Sequence, residues 1–203
     1  MTASKVSVAG LSDREVNADI IESCRLGDRD AFRVLYEAYK DKVYSIALYF
    51  FHGDAAAASD ATQQVFLKLI RGIAQFRGES GFSTWLYRMV VNTCMDGARR
   101  AKPRQLDETA TLAEPGSQEE DFAMRQRRQS VQAALSALPA KFRLPILLRY
   151  FEELSYTQMA EAMSCSMGTV ASRLNRGHKM LAQKLEWLRS GIRPSGVGRS
   201  GVK

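Results

Sequence analysis

The sequence predicts an all-α protein: two small helical domains joined by a flexible linker, the second built around a helix-turn-helix. Three observations carry this. Apolar residues recur at three- and four-residue spacing in segment after segment, and no segment alternates as a strand does. Residues 102–120 hold two prolines and no apolar periodicity, which marks a linker. Residues 155–184 read as two helices around a very short break, Ser164, Cys165 and Ser166. The expected division is a loose tail over 1–11, a first domain over 12–101, the linker over 102–120, a second domain over 121–190 and a patternless, glycine-containing tail over 191–203.

In the first domain, Ser12 and Glu15 have the spacing of a capping box, with Val16, Ile20, Ile21 and Cys24 on one face of the helix that follows. Leu26 and Gly27 end it. Asp28 or Asp30 caps a longer helix whose stripe is Phe32, Leu35, Tyr36, Tyr39, Val43, Ile46 and Phe50. His52 and Gly53 break the chain, and Asp54 caps a third helix. Ala61, Val65, Phe66, Leu69 and Ile70 are placed toward its core, with Asp60, Gln63, Gln64 and Lys68 on the other side. A solvated polar face explains that second set equally well.

Residues 72–82 form a loop with three glycines and two aromatics. Exposed rings on such a loop either stack on a partner or tuck under the fold. Ser83 is placed as the cap of a fourth helix, with Trp85, Leu86, Met89, Val90 and Thr93 on its apolar side. Arg88, Asn92, Arg99 and Arg100 make the other side polar and basic. Aromatic rings beside arginine and asparagine suit single-stranded nucleic acid, where rings stack on bases and cations hold the backbone.

The second domain opens with a helix from about Gln118 to Leu138. Pro139 starts the next, over 140–154, and Pro145 inside it removes one backbone hydrogen bond. Ser155 and Gln158 then form a capping box for a helix with Met159, Ala160 and Met163 on its apolar face. Ser166 can cap the last helix, along which Val170, Leu174, Leu181 and Leu185 repeat. Thr169, Ser172, Arg173 and Arg176 fall off that stripe, as side chains facing a DNA groove should. Arg173, Arg176, Lys179 and Lys184 meet almost no acid before Glu186. A packed hairpin with a solvated basic face is the competing interpretation.

Composition narrows the classes. A net charge of +7 and a pI near 9.5 favour a polyanionic partner. Cys24, Cys94 and Cys165 are isolated from one another and from His52 and His178, so no metal-ligand spacing exists, and inert thiols in a reducing cytoplasm fit. No nucleophile elbow or phosphate-binding loop is present, so neither catalysis nor a cofactor nor a small-molecule substrate is expected. The first residues are polar and mixed, unlike a signal peptide, and no apolar run approaches the roughly 20 residues of a membrane span.

Three stretches, in order and at the right spacing, resemble the extracytoplasmic-function (ECF) sigma factors, group 4 of the sigma-70 family. Asp60-Ala-Thr-Gln63-Gln-Val-Phe66-Leu resembles the helix by which that family binds core polymerase. Phe76-Arg-Gly78-Glu-Ser-Gly-Phe82-Ser-Thr-Trp85-Leu-Tyr-Arg88, running on to Asn92, resembles its promoter-melting stretch. Ala137-Leu-Pro139 through Leu154-Ser-Tyr156, and then Gly168-Thr-Val170-Ala-Ser-Arg173-Leu-Asn-Arg176, resemble its −35-binding domain. The likeness covers about residues 15 to 186.

The resemblance implies a protein that binds core RNA polymerase and promoter DNA and melts the −10 region for a stress or signal regulon. Asp60, Gln63, Gln64 and Phe66 would meet the β′ clamp helices. Phe76, Arg77, Gly78, Phe82, Trp85, Arg88, Asn92, Arg99 and Arg100 would serve the −10 element, with a flipped base held at the 76–82 loop. Arg149, Thr169, Ser172, Arg173, Arg176 and Lys179 would serve the −35 element, with that domain seated on the β flap. An anti-sigma factor would control the protein, in the cytoplasm or at the inner face of the membrane. Two departures stand out: Gln64 occupies a position where the family commonly has an acid, with Ala57 and Ser59 nearby, and Ala171 and Asn175 replace residues that are often basic or aromatic. A helix-turn-helix regulator that does not bind polymerase shares the second half but has no need of the 76–88 stretch.

Overall fold

The computed structural model describes residues 16–100 and 122–190. Among them are eight α-helices and no strand: α1 (Ala18–Arg25), α2 (Arg29–Phe50), α3 (Ala55–Gly72), α4 (Phe82–Arg100), α5 (Phe122–Ser136), α6 (Ala140–Phe151), α7 (Tyr156–Ala162) and α8 (Met167–Ser190). The linker over 102–120 and both tails lie outside the described residues.

Caps set several boundaries. Asp28 Oδ1 accepts from the backbone N–H of Asp30 and Ala31, and Asp54 Oδ1 from Ala57, which satisfies orphan donors at the starts of α2 and α3. The first helix starts later than the Ser12 spacing suggests. Asn17 caps it by accepting from Ile20 N, Val16 precedes it, and Ser12 and Glu15 lie outside the described residues. Ser83 is not a cap: α4 already includes Phe82, and the carbonyl of Gly81 accepts from Trp85 N. The 72–82 loop is shorter than expected, because Gly72 ends α3 and a single 3-10 turn (Ile73–Gln75) buries Ile73.

The first unit is a bundle in which α2 packs on α1 and α3, and α3 on α4. Leu35, Tyr39, Val43, Ile46 and Phe50 supply the buried stripe of α2, and Val65, Phe66 and Leu69 that of α3. Each fully buried aliphatic side chain contributes about 1.5–3 kcal/mol. The buried side of α4 is wider than its expected stripe: Tyr87, Val91 and Cys94 join Leu86 and Val90, because α4 contacts α2, α3, α6 and α7 at once.

In the second unit, α6 and α8 cross closely and α5 and α7 pack on α8. Leu144, Leu147, Leu148, Met159, Val170 and Leu174 form the centre. The first described helix here is α5; residues 118–121 fall outside the description, and α5 stops at Ser136, short of Leu138. Pro145 is tolerated inside α6, where it is buried. The Ser155–Gln158 capping box forms with both hydrogen bonds. Helices α2, α6 and α7 end at residues with left-handed backbones, His52 (φ 62°), Glu153 (φ 52°) and Ser164 (φ 49°), a conformation that closes helices but suits glycine better.

The two units share one core rather than standing apart. Helix α2 packs on α5 and α6, and α4 on α6 and α7. Tyr49 and Phe151 meet edge to face at 4.9 Å. Arg143 of α6 is buried and donates to the carbonyls of Leu135, Ser136, Leu138 and Phe50, with His52 Nε2 3.0 Å from its Nη1.

Two measurements test this packing. A Cβ at Gly177 would stand 2.6 Å from Ile146 Cδ1 and 3.3 Å from the Phe142 carbonyl, so Gly177→Ala should force α6 and α8 apart. A loss of about 1–3 kcal/mol is expected from the urea midpoint. Desolvation first, and then the charge of Arg143, hold the pKa of His52 below the usual histidine value of 6.5. The unfolded chain therefore takes up this proton more readily, so stability is full above the unfolded pKa and falls as pH drops below it. His52→Asn, which tolerates a left-handed backbone, should flatten the fall in urea midpoint between about pH 7.5 and about pH 5.5.

Candidate functional site

Three surfaces carry the sequence-predicted residues. The first lies between α2 and α3. Burial of Ala58, Ala61, Val65 and Leu69 against α2 and α4 leaves Asp60, Gln63 and Gln64 exposed along one side of α3. Beside them runs a groove of about 530 Å³ whose lining includes Tyr36, Lys40, Tyr44, Gln63, Leu67 and Ile70. Phe66 also lines it but is itself buried, with its ring meeting that of Tyr36 at 4.7 Å. Asp60 and Gln64 stand outside the lining.

Here the structure corrects the sequence reading. Tyr36 and Ile70, placed in the core, are 44% and 53% exposed, and Leu67 is 43% exposed. The reason is geometric: these positions flank the buried stripes of α2 and α3 and face the groove rather than the core. Tyr36, Lys40 and Tyr44 were missed as a set. Their spacing of four gives a stripe of its own beside the core stripe of α2, and that was the available signal. Clustered exposed apolar side chains with a polar margin mark an interaction surface.

The second surface is the 76–82 segment and α4. Phe76, Phe82 and Trp85 form a triangle with centroid separations of 5.2 to 5.9 Å, and Phe82 also leans on Tyr39. Phe76 and Phe82 are buried and Trp85 half-buried, so these rings spend their faces on each other. What the segment presents outward is a turn at Gly78, whose φ of 72° favours glycine, flanked by the exposed pair Arg77 and Glu79 at 3.9 Å. Arg88, Asn92 and Arg99 lie at helical spacing on one face of α4, and Arg100 sits next to them. Asn92, Arg99 and Arg100 are exposed, and Arg99 pairs with Asp96. Arg88 is half-buried: its Nε donates to the carbonyl of Glu161 in α7, 3.3 Å away. Lys68, at the border with α3, donates to Thr93 Oγ1 at 2.9 Å.

The third surface is the start of α8. Ser166 Oγ accepts from Thr169 N and so caps the helix. Val170 and Leu174 are buried, which turns Thr169, Ser172, Arg173 and Arg176 to the opposite side. Ser172, Arg176 and Lys179 are exposed, and Thr169 and Arg173 half-buried. Arg149 is not with them. It stands on α6 and donates through Nη1 to the carbonyl of Leu154, closing the turn before α7.

The remaining chemistry is spare. Burial pushes the Cys94 thiol up to about 12, and burial followed by the charge of Asp28 raises that of Cys24, so neither is a thiolate at neutral pH. Among the described residues no three His, Cys, Asp or Glu side chains are grouped as metal ligands, and no helix is long and apolar enough to cross a membrane.

The family model of Sigma-70 region 2 matches residues 35–104, and that of Sigma-70, region 4, matches 128–181. The chain is 33% identical to the RNA polymerase sigma-H factor of Pseudomonas aeruginosa, covering 85% of this chain and 95% of that protein. It is 32% identical to the ECF RNA polymerase sigma-E factor of Escherichia coli (87% and 97%) and 31% identical to the ECF RNA polymerase sigma factor SigW of Bacillus subtilis (81% and 94%). Two solved structures share the fold. CnrH in complex with the cytosolic domain of CnrY aligns with a TM-score of 0.65 at 19% identity, over 85% of this chain and 98% of that one. The sigma factor RpoE in complex with the anti-sigma factor NepR from Bartonella quintana aligns with a TM-score of 0.62 at 20% identity, over 76% and 96%.

Proposed function

The chain belongs to the ECF RNA polymerase sigma factors of the sigma-70 family, and from that premise we propose how its three surfaces divide the work of starting transcription. The α2/α3 groove, with Asp60, Gln63 and Gln64 beside it, seats the β′ clamp helices of core polymerase. Its exposed apolar rim gives the contact its affinity, and the polar margin its register. Phe66 acts from beneath as the floor. The thinner acidic content of this face is offset by Tyr36, Leu67 and Ile70.

The outer face of α4 captures the −10 strand. Asn92 supplies hydrogen bonds to an unstacked base, Arg88, Arg99 and Arg100 hold phosphates, and the Gly78 turn lets the backbone of the 76–82 loop wall the base. The packed triangle of Phe76, Phe82 and Trp85 fixes that loop rather than stacking on DNA. Helix α8 enters the −35 major groove with Thr169, Ser172, Arg173 and Arg176, and Lys179 holds the backbone. Arg149 acts through the turn it closes, and this unit sits on the β flap. The protein makes and breaks no bonds. It works in the cytoplasm, and its controlling partner is an anti-sigma factor, as in the RpoE–NepR complex.

The observation that carries this reading is the pairing, in one chain, of the exposed α8 face with the Asn92 face of α4. A protein that only reads duplex needs the first and has no use for the second. Two experiments test it. Ile70→Asp puts a charge in an exposed apolar rim, so it should change stability by no more than about 0.5 kcal/mol while weakening core-polymerase binding about tenfold or more in a competition assay. Unchanged affinity would remove the groove from the interface. Asn92→Ala should leave core binding and −35 duplex binding intact and lower open-complex formation several-fold, as the loss of a hydrogen bond of about 0.5–1.5 kcal/mol implies. A pre-melted −10 bubble should restore only part of the loss, because it supplies the melting energy but not the base contact. Permanganate footprinting reads both templates, and wild-type opening on duplex would exclude Asn92 from strand capture.

A further inference from the structure

The exposed face of α8 holds a residue to which the −35 reading gives no role. Val170, Leu174 and Gly177 are buried on one side of the helix. Opposite them lies a patch of four exposed side chains, Ser172, Asn175, Arg176 and Lys179. They stand at i, i+3, i+4 and i+7, so they are neighbours on one face. Asn175 is the only amide between Ser166 and Lys179. The hydroxyls nearby have partners within the helix start: Ser172 Oγ donates to the Thr169 carbonyl at 3.0 Å, and Thr169 Oγ1 lies 2.9 Å from Ser166 Oγ. Among the described residues nothing hydrogen-bonds to the Asn175 amide, which leaves its carbonyl and its NH2 both open to a ligand. One turn earlier, Ala171 is exposed and carries only a methyl, so no long side chain crowds the amide from that side.

We propose that Asn175 reads an adenine of the −35 element through a bidentate contact in the major groove. This rests on the reading of α8 as the −35 helix. In the major groove adenine shows the N6–H donor beside the N7 acceptor. A carboxamide shows a carbonyl acceptor beside an N–H donor. The two fit, with Asn175 Oδ1 accepting from N6–H and Nδ2–H donating to N7. Guanine shows two acceptors, N7 and O6, so the Asn175 carbonyl would meet a lone pair there. Cytosine offers only its N4–H, and thymine only O4 and a methyl, so each supports one bond at most. Arg176, beside Asn175, has the opposite preference, since its paired donors match the two acceptors of guanine. Adjacent positions on one face thus read different bases. Asn175 carries no charge, so it adds little to the phosphate attraction that Lys179 supplies.

The test uses the full-length chain assembled with core polymerase, on a promoter library randomised through the −35 element with the −10 element held constant. Wild type should favour adenine at one position. Asn175→Ala should lose about fivefold or more of that preference, the lower range for a bidentate contact, and keep the preferences elsewhere in the element. Alanine is the best helix former, so this variant keeps the fold. Asn175→Asp, which has acceptors only, should favour cytosine at the same position. On a single promoter, 7-deazaadenine at that position removes N7 and leaves base pairing intact. It should weaken binding of the wild type several-fold and that of Asn175→Ala not at all. The proposal is overturned if the position that Asn175→Ala relaxes is not one where wild type favours adenine, or if the loss falls evenly on all sequences. It is overturned equally if Asn175→Asp retains adenine, or if the 7-deazaadenine effect survives in Asn175→Ala. If Arg176→Ala alters −35 preference or binding and Asn175→Ala does not, this assignment falls and α8 remains the −35 helix. If neither substitution alters them, the −35 reading itself falls.

Discussion

Two helices end on one guanidinium. The last carbonyls of an α-helix have no partner within it and must find donors elsewhere. Arg143 supplies them to Leu135, Ser136 and Leu138 at the end of α5 and to Phe50 at the end of α2. Its ring neighbour Phe50 lies beneath the guanidinium, 5.6 Å away. Only arginine offers donors in a planar fork that can serve several acceptors at once. Burial pushes its pKa down to about 10, which still leaves it charged at neutral pH. Without it, several buried carbonyls and two helix termini would lose their donors together, and the seat of α6 on α2 would go with them.

The position of the α8 surface follows from that seat. Helix α6 carries the turn that Arg149 closes on Leu154, that turn starts α7, and α7 and α6 together support α8. The same seat brings Glu152 to Tyr87 and Glu161 to Arg88.

The helices were legible because their apolar stripes and caps are local properties. Asp28, Asp54, Ser155 and Ser166 each satisfy backbone donors within three residues, so their spacing alone announces them. Ser83 had the same composition but no vacancy to fill, since Gly81 already accepted the bond that starts α4. The α8 face and the Asn92 face were legible for a similar reason: they are what remains when a local stripe is buried. The groove was not. Tyr36 and Ile70 look like core residues on their own helices, and only the pairing of α2 with α3 shows that they line its edge. Arg88 and Glu152 were invisible as partners because 73 residues separate Arg88 from Glu161 and 65 separate Tyr87 from Glu152. No periodicity reports a contact across a linker.

The distribution of polar and apolar groups points the same way. Stability alone would bury Tyr36, Leu67 and Ile70 and leave Glu152 in water; the structure exposes the first three and covers the carboxylate. An open apolar rim forgoes about 25 cal/mol for each Å² it could have buried, which makes sense only for a surface that is covered by something else.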